Sequence, residues 1–441
     1  MQLVEEASHL GDEMPLTVTD IPGPKSVALV DVLAKHESPG VTARRARAGE
    51  ARGVGADPIV WDQAVGANVW DVDGNRYVDL SGAFGVALIG HRHPRVQAAV
   101  EAQAGKLLHS MGDVYPNEAR IRLMEKLGHM APGDLSQCIL TSGGAEAVEA
   151  ALKTATLKSG KSGVLAFWGG YHGLSYGALA VTAYKDAFRL PFKAQLGGHV
   201  RHLPYGEDLG LIERFFQGPA TGADSIGAII VEPIQGRGGE VVAPDSWLRG
   251  LRELADRFGA CLIFDEIYSG LGRSGKWWAG DWAGVEPDIL CAGKALGGGM
   301  PIGACVARPD VMAAWGQSQG EAIHTSTFLG HPISSAAALA SLEVLESMDA
   351  PTQAMAVEKR LKERFGSLIR GRGAMLGVET GHAGSAAKIS GHMLKAGYIV
   401  LPGGVNNDIV GITPPLVLTD DQWEGALQAL EAALSKEGIR P

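Results

Sequence analysis

Short, continuous apolar runs punctuate the middle of this chain, and each ends abruptly at acids or glycines. Ala228-Ile229-Ile230-Val231, Cys261-Leu262-Ile263-Phe264 and Ile289-Leu290-Cys291-Ala292 show no polar alternation, the mark of strands buried on both faces. Between them lie stretches with helical character, such as 145–153 and 245–258. From about 84 to 328 the two kinds alternate, which predicts an α/β fold with a parallel sheet covered by helices on both sides. Before this region, 67–79 reads as two short strands around Asp73-Gly74-Asn75, a hairpin signal. After it come an alanine- and leucine-rich helix over 332–348 and another over 420–434. Residues 160–163 and 402–407 read as loops, and the first twenty or so lack periodicity and are expected to be mobile.

The ends of the runs carry the chemistry. In open α/β sheets the carboxyl ends of strands line the ligand crevice, so Glu232, Asp265 and Lys294 are expected on one rim. Lys294 enters a turn, Gly293-Lys294-Ala295-Leu296-Gly297-Gly298-Gly299, whose glycines leave room for something flat. A desolvated amine there loses its proton and turns nucleophilic toward an aldehyde, the requirement for a Schiff-base lysine. Ile139-Leu140 leads through Thr141, Ser142, Gly143 and Gly144 into the helix-forming run from Ala145. A glycine turn opening a helix offers free N–H groups and the positive end of the dipole to a phosphate.

An imine-forming lysine, an acid and a phosphate cradle are the three handles needed by pyridoxal 5'-phosphate. A carboxylate about 4 Å from the pyridine nitrogen contributes roughly 4 kcal/mol at an effective dielectric of 20, about three pKa units. That holds the nitrogen protonated at neutral pH, and the ring then accepts the electrons of a breaking bond.

Composition limits the rest. A chain of 441 residues, 46% hydrophobic, can bury large cores and suggests two or three domains. Its formal charge of −10 argues against a nucleic-acid surface, and Arg44-Arg45-Ala46-Arg47 is the densest basic cluster. Cys138, Cys261, Cys291 and Cys305 sit singly in apolar runs and read as buried thiols of a cytoplasmic protein. No signal peptide is expected from Met1 to Glu6, and no apolar run is long enough to span a membrane. His91 and His93 lack the spacing of a helical metal pair, so no metal is expected.

The ordered motifs Trp70-Asp71-Val72-Asp73-Gly74, Gly90-His91-Arg92-His93-Pro94, Ser142-Gly143-Gly144-Ala145-Glu146-Ala147, Tyr171-His172-Gly173, Glu232-Pro233-Ile234-Gln235-Gly236, Phe264-Asp265-Glu266, Gly293-Lys294-Ala295 and Arg370-Gly371-Arg372-Gly373 make the chain resemble one family. That family is the class III pyridoxal-phosphate aminotransferases, which act on 4-aminobutyrate, ornithine and other omega-amines. The resemblance implies fold type I: a large domain with a seven-stranded, mainly parallel sheet over 84–330, and a smaller α+β domain from 1–83 and 331–441.

Carried over by position, the resemblance makes Lys294 the aldimine lysine and the proton-moving base, and Asp265 the partner of the pyridine nitrogen. Ile267 presses on one ring face and Tyr171, with His172 beside it, stacks on the other. Ser142, Gly143, Gly144 and Ala145 hold the phosphate, Glu232 shapes the site, and Thr327 reaches the phosphate of the neighbouring subunit in a homodimer.

Departures from the pattern bear on substrate. Leu174 replaces an arginine that grips a substrate carboxylate, and Arg237 replaces a glutamate that pairs with a switching arginine. Phe84 and Leu174 would make one wall apolar, leaving Arg237 or Arg370 to clamp an acid group in two-point fashion. Plainer roles stay open, Arg237 as a surface cation and Arg370 as a backbone cap. His331 stands where asparagine is usual before Pro332.

Gly270-Leu271-Gly272-Arg273-Ser274-Gly275 fits a dinucleotide pattern and Gly270 to Lys276 nearly fits a phosphate-binding loop, but no helix can start cleanly there and the serine or threonine for magnesium is missing. Gly173-Leu174-Ser175-Tyr176-Gly177 fits a hydrolase elbow but falls inside the Tyr171-His172-Gly173 motif. The expected activity is transfer of an amino group from a primary amine or omega-amino acid to an oxo acid, 2-oxoglutarate or pyruvate. An epimerase, decarboxylase or aminomutase on the same fold is the alternative, and a non-catalytic binding protein the remote one.

Overall fold

The computed structural model describes residues 11–55, 57–217, 225–317 and 320–440, so the expectations for Met1 to Glu6 lie outside it, as does half of the stretch expected to be mobile. The chain forms two compact units, one from 1–94 with 355–441 and one from 95–354.

The larger unit is built on a seven-stranded sheet. Its order is Gln137–Thr141, Gly303–Ala307, Ile289–Ala292, Cys261–Asp265, Ile226–Val231, Gly163–Phe167, Val200–Leu203. Gly303–Ala307 alone runs against its neighbours; the remaining pairs are parallel. Every residue of Cys261–Asp265 and of Ile226–Val231 is buried, which explains their unbroken apolar sequence. Each such Ile, Leu or Phe contributes about 1.5–3 kcal/mol by leaving water.

Helix Gly144–Ser159 turns Ala147, Val148, Ala150, Ala151 and Ala155 onto the sheet, and Gly160 ends it with φ 65°. Asp245–Phe258 buries Trp247, Leu248, Leu251, Leu254 and Ala255 at helical spacing and stops at Gly259, φ 62°. Helix Pro332–Ser347 packs against Glu118–Met130 and the turn Lys294–Gly297. The larger unit therefore runs on to residue 354, beyond the expected boundary at 330.

The smaller unit holds two four-stranded sheets. Asn68–Asp71 and Arg76–Asp79 pair antiparallel as the expected hairpin, flanked by Trp61–Val65 and Tyr398–Ile399. The second sheet joins Ile369–Arg372, Met375–Glu379, Ile409–Ile412 and Leu401–Gly403. Part of the expected loop 402–407 is thus strand. The basic cluster 44–47 lies on helix Pro39–Arg52.

The four cysteines are buried and free. His91 forms an isolated antiparallel bridge with Gly66, its Nε2 lies 2.9 Å from Oδ2 of Asp79, and no metal-binding group of side chains occurs among the described residues. No helix among the described residues is long and apolar enough to cross a membrane.

Candidate active site

Parallel order brings the predicted residues together. Ile289–Ala292, Cys261–Asp265 and Ile226–Val231 are neighbours in register, Asp265 opposite Cys291 and Phe264 opposite Val231. Their carboxyl ends open on one edge, placing Glu232, Asp265 and Lys294 there. Thr141 ends a strand pointing the same way and delivers Ser142, Gly143 and Gly144 to that edge, while Phe167 leads to Tyr171 and His172.

Asp265 is buried, with Oδ2 2.7 Å from Nδ1 of His172 and Oδ1 accepting from the Ile267 amide at 3.1 Å. Burial opposes charging His172, but the hydrogen bond to Asp265 and the charges of Asp265 and Glu232 outweigh it and raise its pKa. The imidazole is itself placed by its own amide, which donates to Thr182 Oγ1 at 2.9 Å.

Lys294 has a positive φ of 44°, an uncommon conformation for a residue with a side chain and costing on the order of 1–3 kcal/mol. Its Nζ stands 4.2 Å from the centre of the Tyr268 ring. Desolvation pulls its pKa down to about 8, against Asp265 and Glu232, which favour the ammonium; Arg237 and Arg273 push the same way as burial. Among the described residues no carboxylate is in ion-pair contact with it. Glu232 receives the amides of Tyr171 at 2.8 Å and Gly236 at 3.1 Å, and burial raises its pKa above the usual carboxylate range.

Ile267 wedges between the two glycine turns. A Cβ on Gly144 would stand 2.9 Å from its Cδ1, and one on Gly293 3.2 Å from its Cγ2. Gly143 faces open space, and a cavity of about 260 Å³ borders Thr141, Ser142, Phe328 and His331. The free amides opening a sixteen-residue helix, a buried carboxylate and a part-desolvated amine form a donor set that fits a phosphate, a basic ring nitrogen and an aldehyde. The residues present therefore fit pyridoxal 5'-phosphate.

The substrate candidates divide. Arg237 is part-buried, its guanidinium carbon 4.6 Å from the centre of the Tyr171 ring and 5.8 Å from that of Tyr184. Leu174 is exposed, and Thr327 lies in an exposed stretch. Phe84 and Arg370 belong to the smaller unit, where Arg370 is 2.7 Å from Glu379 on the adjoining strand. Tyr268 and Arg273 were not predicted. Tyr268 lies three residues past Asp265, where periodicity is lost in a turn, and the glycine-rich stretch around Arg273 gives no sign that this side chain is fully buried.

Glu266, the second acid of its strand, faces away from this chemistry. It accepts from the amides of Ala279 and Gly280 and from Ser269 Oγ, fastening the 270–280 turn. A short 3-10 turn follows at Ala279–Trp282, and neither a phosphate-binding loop nor a dinucleotide fold is built there.

Comparison with known proteins agrees with this geometry. The profile of the class III aminotransferases matches residues 50–434. An acetylornithine aminotransferase from Methanopyrus kandleri is 37% identical over 390 residues, covering 86% of this chain and 95% of its own. An amine transaminase from an uncultivated Pseudomonas species, solved with pyridoxal phosphate bound, superposes with a TM-score of 0.80 at 30% identity, covering 86% and 95%. The ornithine aminotransferase of Toxoplasma gondii gives 0.77 at 29% identity, covering 87% and 92%.

Proposed function

Because this chain belongs to the class III aminotransferases, enzymes that use pyridoxal 5'-phosphate, we propose that it moves an amino group from an omega-amino acid or primary amine to 2-oxoglutarate or pyruvate, with Lys294 as its catalytic base. The observation that carries the residue assignment is the Lys294 amine, desolvated and without an acidic partner among the described residues, on the sheet edge that also carries Asp265 and the Gly143–Gly144 turn.

When bound, the cofactor supplies an electron sink for the bond broken at the substrate carbon. Asp265 holds a proton on the pyridine nitrogen, and His172 keeps that carboxylate aimed. The amides at Gly143, Gly144 and Ala145 bind the phosphate, with Ser142 beside them. Ile267 and Tyr171 would pack against opposite faces of the cofactor ring. Lys294 Nζ, its pKa lowered by burial to about 8, reaches its free-base form more readily than an ordinary lysine and would be the group that takes the proton from the substrate carbon.

Arg237 is the carboxylate anchor in this reading. Among the described residues it has no acidic partner and rests on Tyr171, whereas Arg370 is occupied by Glu379. The donor class agrees with relatives named for acetylornithine, ornithine and amines. A homodimer, with Thr327 reaching the neighbour's phosphate, and a cytoplasmic setting for the four free thiols complete the proposal.

The test is a donor screen followed by cofactor absorbance on wild type and Arg237→Ala. Acidic donors are expected to lose roughly 10- to 100-fold in kcat/KM in the variant while uncharged amines are unaffected. Equal loss for both would remove Arg237 as the anchor. Borohydride trapping and peptide mapping should label Lys294, and a label elsewhere would overturn the assignment.

A further inference from the structure

Arg237 stands in a corner made by two aromatic rings, all three residues belonging to the larger unit. Its guanidinium carbon is 4.6 Å from the ring centre of Tyr171 and 5.8 Å from that of Tyr184, and the two rings meet at 87° with their centres 6.5 Å apart. Phe188 closes the cluster, 6.1 Å from Tyr184 and 6.3 Å from Tyr171. Among the described residues no carboxylate pairs with Arg237, so aromatic surface is what places its charge. Each ring attracts the cation through its electron-rich face, and the part-buried setting of Arg237 strengthens that attraction.

The backbone builds this corner before any ligand arrives. The Ala183 amide donates to the Gly170 carbonyl at 2.8 Å, the Gly169 amide donates to the Ala183 carbonyl at 3.1 Å, and the His172 amide donates to Thr182 Oγ1 at 2.9 Å. Those bonds lay 182–184 alongside 169–172 and so bring Tyr184 beside Tyr171. From the other side, the Glu232 carboxylate receives the Tyr171 amide on Oε1 and the Gly236 amide on Oε2, tying the backbone of the ring to the backbone that carries Arg237. Phe188 is pinned through the next residue: Arg189 Nη2 is 2.6 Å from Asp186 Oδ1, and Nη1 is 2.8 Å from Nδ1 of His202 on strand Val200–Leu203.

An arginine on a flexible stem gives up side-chain freedom when it takes an acid, and one already ordered has little left to lose. Rings that cover the faces of a guanidinium leave its N–H edge open, the side that makes a two-point contact with a carboxylate. We propose that Tyr184, backed by Phe188, is a positioning residue that sets the preference for acid-bearing donors by holding Arg237 preformed in the corner with Tyr171. The proposal rests on the reading of Arg237 as the carboxylate anchor. A donor carboxylate then meets a fork that is already aimed, whereas a primary amine without an acid group gains nothing from the cluster.

Phenylglyoxal labelling of Arg237 on the holoenzyme, read by peptide mapping, reports the corner, and its slowing by pentanoate reports the anchor. Tyr184→Leu should label Arg237 roughly fivefold faster than wild type, Phe188→Leu should shift the rate the same way by less, and Tyr184→Phe, which keeps the ring, should match wild type. With 5-aminopentanoate as donor, Tyr184→Leu should raise KM roughly fivefold with a much smaller change in kcat, and should affect pentylamine less. A wild-type labelling rate in Tyr184→Leu, Tyr184→Phe behaving as Tyr184→Leu does, or equal rises in KM for the two donors would each overturn the proposal. Pentanoate that fails to slow labelling of wild type would end the anchor reading and the selectivity claim with it, a result separate from the variant rates, which decide whether the corner holds Arg237.

Discussion

His172 Nδ1 lies 2.7 Å from Oδ2 of Asp265, and both side chains are buried at the carboxyl end of the central strand. The imidazole holds the carboxylate in place and fixes the direction of its free lone pairs.

Replacing His172 by Leu is therefore expected to lower kcat by about 10- to 100-fold through a misaimed Asp265, with smaller change in KM. Asp265→Asn should lose on the order of a thousandfold, since about 4 kcal/mol of charge interaction is removed. A pH titration of the bound cofactor's spectrum should separate the two, Asp265→Asn moving the ring-nitrogen ionisation far more. Indistinguishable spectra in both variants would remove Asp265 from the pyridine nitrogen.

Lys294 titrates near 8 in the folded protein against an ordinary 10.5. Between those values the unfolded chain binds the extra proton, so this group's contribution to apoprotein stability rises with pH across that window and is unfavourable below it. Apo Lys294→Met should melt a few degrees above apo wild type at pH 7, with the gap closing as pH rises from 8 to 10.5. A gap independent of pH would mean that the amine is not desolvated.

Glu266 is buried, and desolvation lifts its carboxyl to about 7 against its amide donors and Ser269. A raised acid binds more protons folded than unfolded, so its share of stability is full below 4.5 and declines as pH climbs to about 7. Glu266→Ala strands the Ala279 and Gly280 amides and should cost about 2–4 kcal/mol in denaturant melts without abolishing cofactor binding. Glu266→Gln should flatten the pH slope of stability over that window.

His331 caps helix Pro332–Ser347, its Nδ1 accepting from the Ser334 amide across a long 3.4 Å. That gives the unusual residue before Pro332 the job an asparagine performs at a helix start. Burial and then His109 lower its pKa, so the acceptor persists at neutral pH and is lost as pH falls below 6.5 toward the folded value. His331→Ala should cost about 1 kcal/mol and His331→Asn should be near neutral, with the difference between them shrinking in acid.

Unbroken apolar runs sufficed to identify the buried strands, and an acid, a lysine and a glycine turn at their ends sufficed to mark the crevice. Those signals are local: a strand buried on both faces must be apolar throughout, and a helix opening onto a phosphate must begin in small residues. The sequence alone also bounded the chemistry, since an amine, an acid and a phosphate cradle at strand ends admit few cofactors. Tertiary structure decided what periodicity could not encode. It separated Asp265, bonded to His172, from Glu266, bonded to the 279–280 amides, although the two are adjacent in sequence. It placed Arg237 on Tyr171 and Arg370 against Glu379, and gathered Tyr171, Tyr184 and Phe188 into one cluster. Direction at a strand end, the partner chosen by an arginine and the meeting of distant segments depend on where the whole backbone goes, and no local pattern fixes that.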